Sequence, residues 1–189
     1  PFFGDCGITT FKSLSLRNMG AWQDLTRMKD VFVSMAVNGM NVDNAQAKFA
    51  VVYINGEYWG LYEFKENQNE QYYASHYGVD PDKIVMVRGN KYNVETGRSD
   101  PDIVSLYSLA QRNMNDAGNF DTYTSLADSD YFMDYLIAET FFNCYDTYNQ
   151  KYAHATDNSQ LWRPMFYDFD LCLGSASSVD FDTFDRDIF

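Results

Sequence analysis

Two histidines in 189 residues leave little room for imidazole chemistry. His76 and His154 have no partner at ligand spacing, which argues against a histidine-based zinc site and against a Ser-His-Asp triad. Cysteine is nearly as scarce. Cys6, Cys144 and Cys172 are an odd count at spacings that match no zinc pattern, so no disulfide framework is expected. Cys144 and Cys172 flank the two acidic stretches described below and can lie near each other; they read as buried free thiols. Basic charge is short as well, with 14 Lys plus Arg against 27 Asp plus Glu and a formal net charge of -13. A nucleic-acid surface needs clustered cations to neutralise phosphates, so no nucleic-acid partner is expected. The acidic balance suits a soluble surface and divalent cations. No apolar run approaches the roughly 20 residues of a membrane span. The chain opens on PFFGDCG rather than Met and is expected to be a piece of a longer protein, so the lack of a targeting segment carries no weight.

What is present is a chain long enough for one domain with a real core. Aromatic residues make up 17% of it, with 15 Tyr and 15 Phe, and most fall in periodic segments that suit core and strand packing. "FKSLSLRN" (11–18) alternates as a strand, with Lys12, Leu14 and Leu16 on one face and Ser13, Ser15 and Arg17 on the other. A helix follows over 24–37, with Asp24 as its N-cap. Its stripe of Met28, Val31, Phe32 and Met35 is expected to pack on a sheet formed by strand 11–17 and the next hairpin. That hairpin spans 48–66 and turns at Asn55-Gly56, the dipeptide favoured in a tight type I′ turn. A short helix is expected at 69–77, a strand after "DPD", a polar loop over 88–101, and helices over 101–115 and 128–143. Strands near 151–155 and 161–167 close the series, joined by "TDNSQ".

The chemistry gathers after the helix at 128–143. "NCYDTYNQKYA" places Asp146 and Asn149 three residues apart in a turn, and "WRPMFYDFDLCLG" ends an apolar run in Asp168, Asp170 and a glycine. One hairpin separates them, which returns the second acidic group to the edge that bears the first. Carboxylates and an amide at one edge suit a hard cation such as magnesium, and phosphoryl transfer uses the same set. From spacing alone, structural or solvated acidic loops are the favoured reading.

The segments "FKSLSLRNMG", "VVYINGEYWGLYEFKEN", "HYGVDPDKI", "DYFMDYLIAETFFN" and "YDFDLCLG" together resemble the spore coat protein H (CotH) kinase family, in the family's order and over nearly the whole chain. The turn "YDTYNQK" is shorter than the family's and lacks its Trp, and "LCLG" stands where the family has an aromatic-glycine ending.

The resemblance implies an α+β, atypical protein-kinase-like fold, with a small-lobe-like part over about 1–66 and a large-lobe-like part over 67–189. The strands of the nucleotide-covering loop would precede residue 1, and further chain would follow residue 189. Asp146 would be the catalytic Asp; Asn149, Asp168 and Asp170 would be metal ligands. Lys12 or Arg17 would clamp the phosphates of ATP, with Arg17 preferred and Asp30 orienting it, and Lys151 would be a further phosphate contact. Glu66 would be a hinge or ion-pair residue. The implied activity is an ATP- and magnesium-dependent (Mn2+ possible in its place) protein kinase acting on Ser or Thr of a secreted, surface or spore-coat protein, or on itself. The alternative is a non-catalytic extracellular module that binds protein or glycan, favoured by the short turn.

Overall fold

The computed structural model describes residues 2–4, 7–18, 26–88, 93–94, 102–144 and 150–174. It is an α+β structure built on two small antiparallel sheets. The first contains β1 (Leu14–Arg17), β2 (Ala47–Ile54) and β3 (Glu57–Glu66) in the order β1-β3-β2. Asn55 and Gly56 both take positive φ, 53° and 85°, as a type I′ turn requires, so β2 and β3 pair from the turn inward. A helix, α1 (Lys29–Ala36), lies between β1 and β2 in sequence.

The linker after β3 leads to α2 (Glu70–Tyr77), which Asn69 caps by accepting from the amides of Gln71 and Tyr72. The second sheet consists of β4 (Ile84–Arg88), β5 (Asn93–Val94), β6 (Lys151–Ala155) and β7 (Arg163–Pro164), ordered β5-β4-β6-β7. Between β5 and β6 in sequence come α3 (Asp102–Ala110), α4 (Ala117–Leu126) and α5 (Ser129–Phe141). Side chains of β4 alternate between two cores. Ile84 and Met86 pack with Tyr72, Tyr73 and Ala153, and Val85 and Val87 pack with Leu106, Phe132 and Trp162. That sheet is buried on both faces, which explains its continuous apolar run. A third core joins Val33 and Val37 to Tyr135, Phe142, Phe166 and Phe169. No described helix is long and apolar enough to cross a membrane.

Two expectations need correction here. The stripe Met28, Phe32 and Met35 does not face the sheet; these residues are 55%, 52% and 67% exposed. Of the expected stripe only Val31 is buried, and it joins Asp30, Val33 and Ser34 inside. At about 100° per residue, Asp30 and Met28 project on nearly opposite sides of the helix. The helix is rotated because Asp30 bonds Lys65 of β3 at 2.6 Å and Arg17 of β1 at 3.2 Å, and ionic hydrogen bonds outweigh the burial of three more apolar side chains. Asp24, the expected cap, lies outside the described residues. The second correction concerns the helix expected over 101–115. It ends at Ala110, and a separate α4 begins where Asp116 accepts from the Asn119 amide.

The rotation of α1 is measurable. Val33→Ala should lower unfolding free energy by about 2 kcal/mol through lost burial and a small cavity. Met35→Gln should stay within about 0.5 kcal/mol of the parent. Equilibrium urea unfolding of both variants checks this, and a larger loss at Met35 would place the wrong face inward.

Candidate functional site

Charged side chains meet on the face of the first sheet that looks toward α1. Antiparallel register pairs Ser15 with Lys65 and Arg17 with Glu63, so all four project from the same face. Asp30 enters from α1. Its Oδ2 accepts from the Lys65 ammonium at 2.6 Å and from the Arg17 guanidinium at 3.2 Å. Its Oδ1 accepts from the backbone N–H of Phe169 at 3.2 Å. Lys65 also lies 3.3 Å from Glu63. One carboxylate therefore ties a helix, two strands and the acidic turn that follows β7.

That turn is held from both ends. Phe169 is buried, with its ring 4.0 Å from that of Phe166. Beyond it the Cys172 amide donates to the Phe169 carbonyl and the Leu173 amide to the Phe142 carbonyl. Asp168 takes a left-handed φ of 67°, which Asp tolerates better than most residues. Its carboxylate then stands 3.5 Å from the Arg17 guanidinium, and that of buried Asp170 stands 4.0 Å from it.

Cys144 and Cys172, expected as free thiols, are joined in a disulfide. The Leu173–Phe142 hydrogen bond lays the end of α5 beside the acidic turn, and the two Cα atoms come to 4.0 Å. The signal in the sequence was the position of one cysteine beside each acidic stretch. The bridge sits between the segment that leads to Asp146 and the segment that carries Asp168 and Asp170.

A cleft of about 250 Å³ opens beside these groups. Ser15, Arg17, Lys65 and Glu66 with the linker residues Asn67 and Gln68 form one side; Lys151, Met165, Tyr167 and Asp168 form the other. The Lys151 ammonium lies over the Tyr167 ring at 4.8 Å. Glu66 is buried, with one oxygen on the Gln46 amide and the other 2.9 Å from His76. Lys12 is exposed, precedes β1 and takes no part in lining the cleft. Asp146 and Asn149 lie outside the described residues. The described residues on either side of them, Cys144 and Gln150, line a small cavity together with Asp168. Among the described residues no group of three ligand-type side chains could hold a metal ion. Two carboxylates, Asp168 and Asp170, are the donor type that magnesium takes, an ion that leaves its other positions to water and phosphate.

Electrostatics separate the acids. Burial pushes the Asp30 carboxyl up, but Lys65 and Arg17 beside it reverse this and hold it below the ordinary range. Glu63 moves the other way, to about 7, because it is buried and next to the Asp30 charge, with Lys65 offsetting only part. Burial disfavours the Lys65 ammonium, yet Asp30 and Glu63 more than compensate and keep it charged. Lys65 was not singled out from the sequence. The available signal was an i, i+2 charge pair in "YEFKE", on the strand face opposite Tyr62 and Phe64.

Fold and site together define an α+β protein with a charged cleft between two small antiparallel sheets. The chain belongs to the CotH kinase family: the family model described as CotH kinase protein matches residues 1–187. No curated protein matches the chain.

Glu63 makes stability depend on pH. The unfolded chain loses this proton near 4.5 and the folded chain near 7. The contribution is therefore complete below 4.5 and is lost as pH rises through 7. Glu63→Gln should flatten that decline and leave the protein more stable at pH 8, by on the order of 1–3 kcal/mol. Asp30, shifted downward, acts only at the acid end and does not mask the effect. Urea unfolding at pH 5 and pH 8 measures it, and parallel losses in parent and variant would contradict the assignment.

Proposed function

We propose that this chain forms the core of an ATP- and magnesium-dependent protein kinase that transfers the γ-phosphate to Ser or Thr. One observation carries the reading: Arg17, held by Asp30, faces Asp168 and Asp170 at the edge of a cleft that residues 66–68 also line. An anchored cation opposite strand-end carboxylates is the arrangement that a metal-bound polyphosphate requires. In this reading residues 1–66 belong to a small lobe and 67–189 to a large one, with nucleotide lying between the sheets.

Arg17 would bind phosphate oxygens, and Lys151 would approach them from the opposite side. Asp168, Asp170 and Asn149 would hold magnesium, or manganese in its place, which when bound neutralises phosphate charge. Asp146 would orient the acceptor hydroxyl and take its proton. The acceptor would be a secreted, surface or coat protein, or the chain itself. The Cys144–Cys172 disulfide supports such a setting, since these bonds persist in oxidising compartments.

A second reading, a non-catalytic extracellular module, is favoured by a different observation. Tyr53, Tyr58 and Trp59 stand 63%, 64% and 58% exposed near the tip of the β2–β3 hairpin, exposed aromatic side chains that suit protein or glycan.

Two variants of the full-length protein separate the readings. Asp168→Ala should weaken ATP–magnesium binding and abolish transfer. Asp146→Asn should leave binding nearly intact while lowering transfer by about 10²–10⁴-fold. Calorimetric titration with ATP and magnesium, paired with a radiolabel transfer assay, reads both quantities. Nucleotide binding without transfer to any protein, the chain included, would favour the binding module.

A further inference from the structure

Lys65 is a lysine with almost no solvent. Its side chain is 9% exposed, against 35% for Arg17 on the neighbouring strand. A buried ammonium is costly unless its charge is met, and here two carboxylates meet it, Asp30 at 2.6 Å and Glu63 at 3.3 Å. Its charge is therefore spent inside the protein, although the side chain forms part of the cleft wall. Arg17 differs: it is half-buried, and its contacts to Asp30, Asp168 and Asp170 are longer, between 3.2 and 4.0 Å. Of the two cations, Arg17 is the one whose partners a phosphate and a metal ion would replace.

The shared partner connects them. Lys65 and Arg17 both bond Oδ2 of Asp30, which leaves Oδ1 for the Phe169 amide. Without Lys65, Arg17 would be the remaining cation at a buried carboxylate. It would be drawn inward, and nothing would fix the rotation of the carboxylate that presents Oδ1 to Phe169.

We propose that Lys65 is a positioning residue. Braced by Glu63, it fixes the Asp30 carboxylate so that Asp30 holds Arg17 and the Phe169 amide at once, setting the separation between the cleft arginine and the Asp168–Asp170 turn. The consequence for nucleotide rests on the kinase reading above; the consequence for the turn does not. The groups that face Lys65 and Glu63 are Asp30 from α1 and Arg17 from β1, with Asp168 and Asp170 behind Arg17.

The test compares the parent with Lys65→Met and Lys65→Arg by two measurements. One is calorimetric titration with ATP and magnesium; the other is hydrogen exchange at the Phe169 amide in nucleotide-free protein. Lys65→Met should weaken nucleotide binding and speed Phe169 exchange, each by about tenfold or more, as for the loss of a charged hydrogen bond. Lys65→Arg keeps a charged donor and should stay within about threefold of the parent on both readings. A merely structural lysine would lower global stability without singling out the Phe169 amide among its buried neighbours. Should Lys65→Met fail to fold, Lys65→Gln takes its place, since its amide reaches toward Asp30 without charge, and the same direction of change is expected. Parental binding and parental Phe169 exchange in the uncharged variant overturn the proposal. If the parent itself binds no nucleotide, the kinase reading fails, and Phe169 exchange alone decides whether Lys65 positions the turn.

Discussion

The carboxylate of Asp30 is the point on which the arrangement of the site depends. It is buried and accepts from Lys65, Arg17 and the Phe169 amide, so it joins the helix that carries it to two strands and to the acidic turn. Removing one partner from such a cluster leaves the others with uncompensated charge in a poorly solvated place, where breaking a pair costs far more than a surface ion pair contributes. The rotation of α1 follows from this. So does the exposure of Met28, Phe32 and Met35, an apolar strip that the helix leaves on the outside. A second buried carboxylate plays a comparable part nearby. Asp43 accepts from the hydroxyls of Tyr73 and Tyr77, and its amide meets the Tyr131 hydroxyl, so the loop between α1 and β2 is fastened to α2 and α5. Tyrosine's abundance here has a polar use as well as an apolar one.

Much of the frame was legible because it rests on local rules. Asn55-Gly56 forces positive φ at two successive residues, and a hairpin is the common outcome. The apolar run at β4 reads as a strand for the same reason that it is one: alternate side chains enter two different cores. Asn69 announces α2 by its side-chain cap. The helix expected over 128–143 corresponds to α5, with Asp128 capping the Tyr131 amide.

What was not legible depends on partners distant in sequence. The inward face of α1 is set by Lys65, 35 residues away, and a periodicity count gives no weight to a polar residue that will be buried. The Lys65–Glu63 pair looks like an ordinary solvated pair until Arg17 and Asp30 close over it. The disulfide needed the Leu173–Phe142 hydrogen bond, which no spacing rule supplies. At the site, the register of β1 against β3 brings Arg17 to Glu63, and sequence alternation alone could say only that Lys12 and Arg17 lie on opposite faces.

The acidity of the chain bears on how such a cleft could hold a polyanion. With a net charge of -13, a highly charged phosphate would be repelled by the surface as a whole at low salt. Yet surface charges more than about 8 Å away are largely screened at physiological ionic strength, whereas charges in a partly buried cleft are not. Arg17, Lys65 and Lys151, three of the 14 basic residues, line that one cleft. Lys65 is neutralised from behind by Asp30 and Glu63, so the charge offered to a ligand comes from Arg17 and Lys151, set against Asp168. Bare phosphate would meet both attraction and repulsion there. In the proposed kinase, Asp168 and Asp170 would hold a divalent cation in place of their contacts to Arg17, which would screen the repelling carboxylates and leave the guanidinium available to phosphate. By this argument metal and nucleotide should bind better together than either does alone, because each relieves the charge that opposes the other.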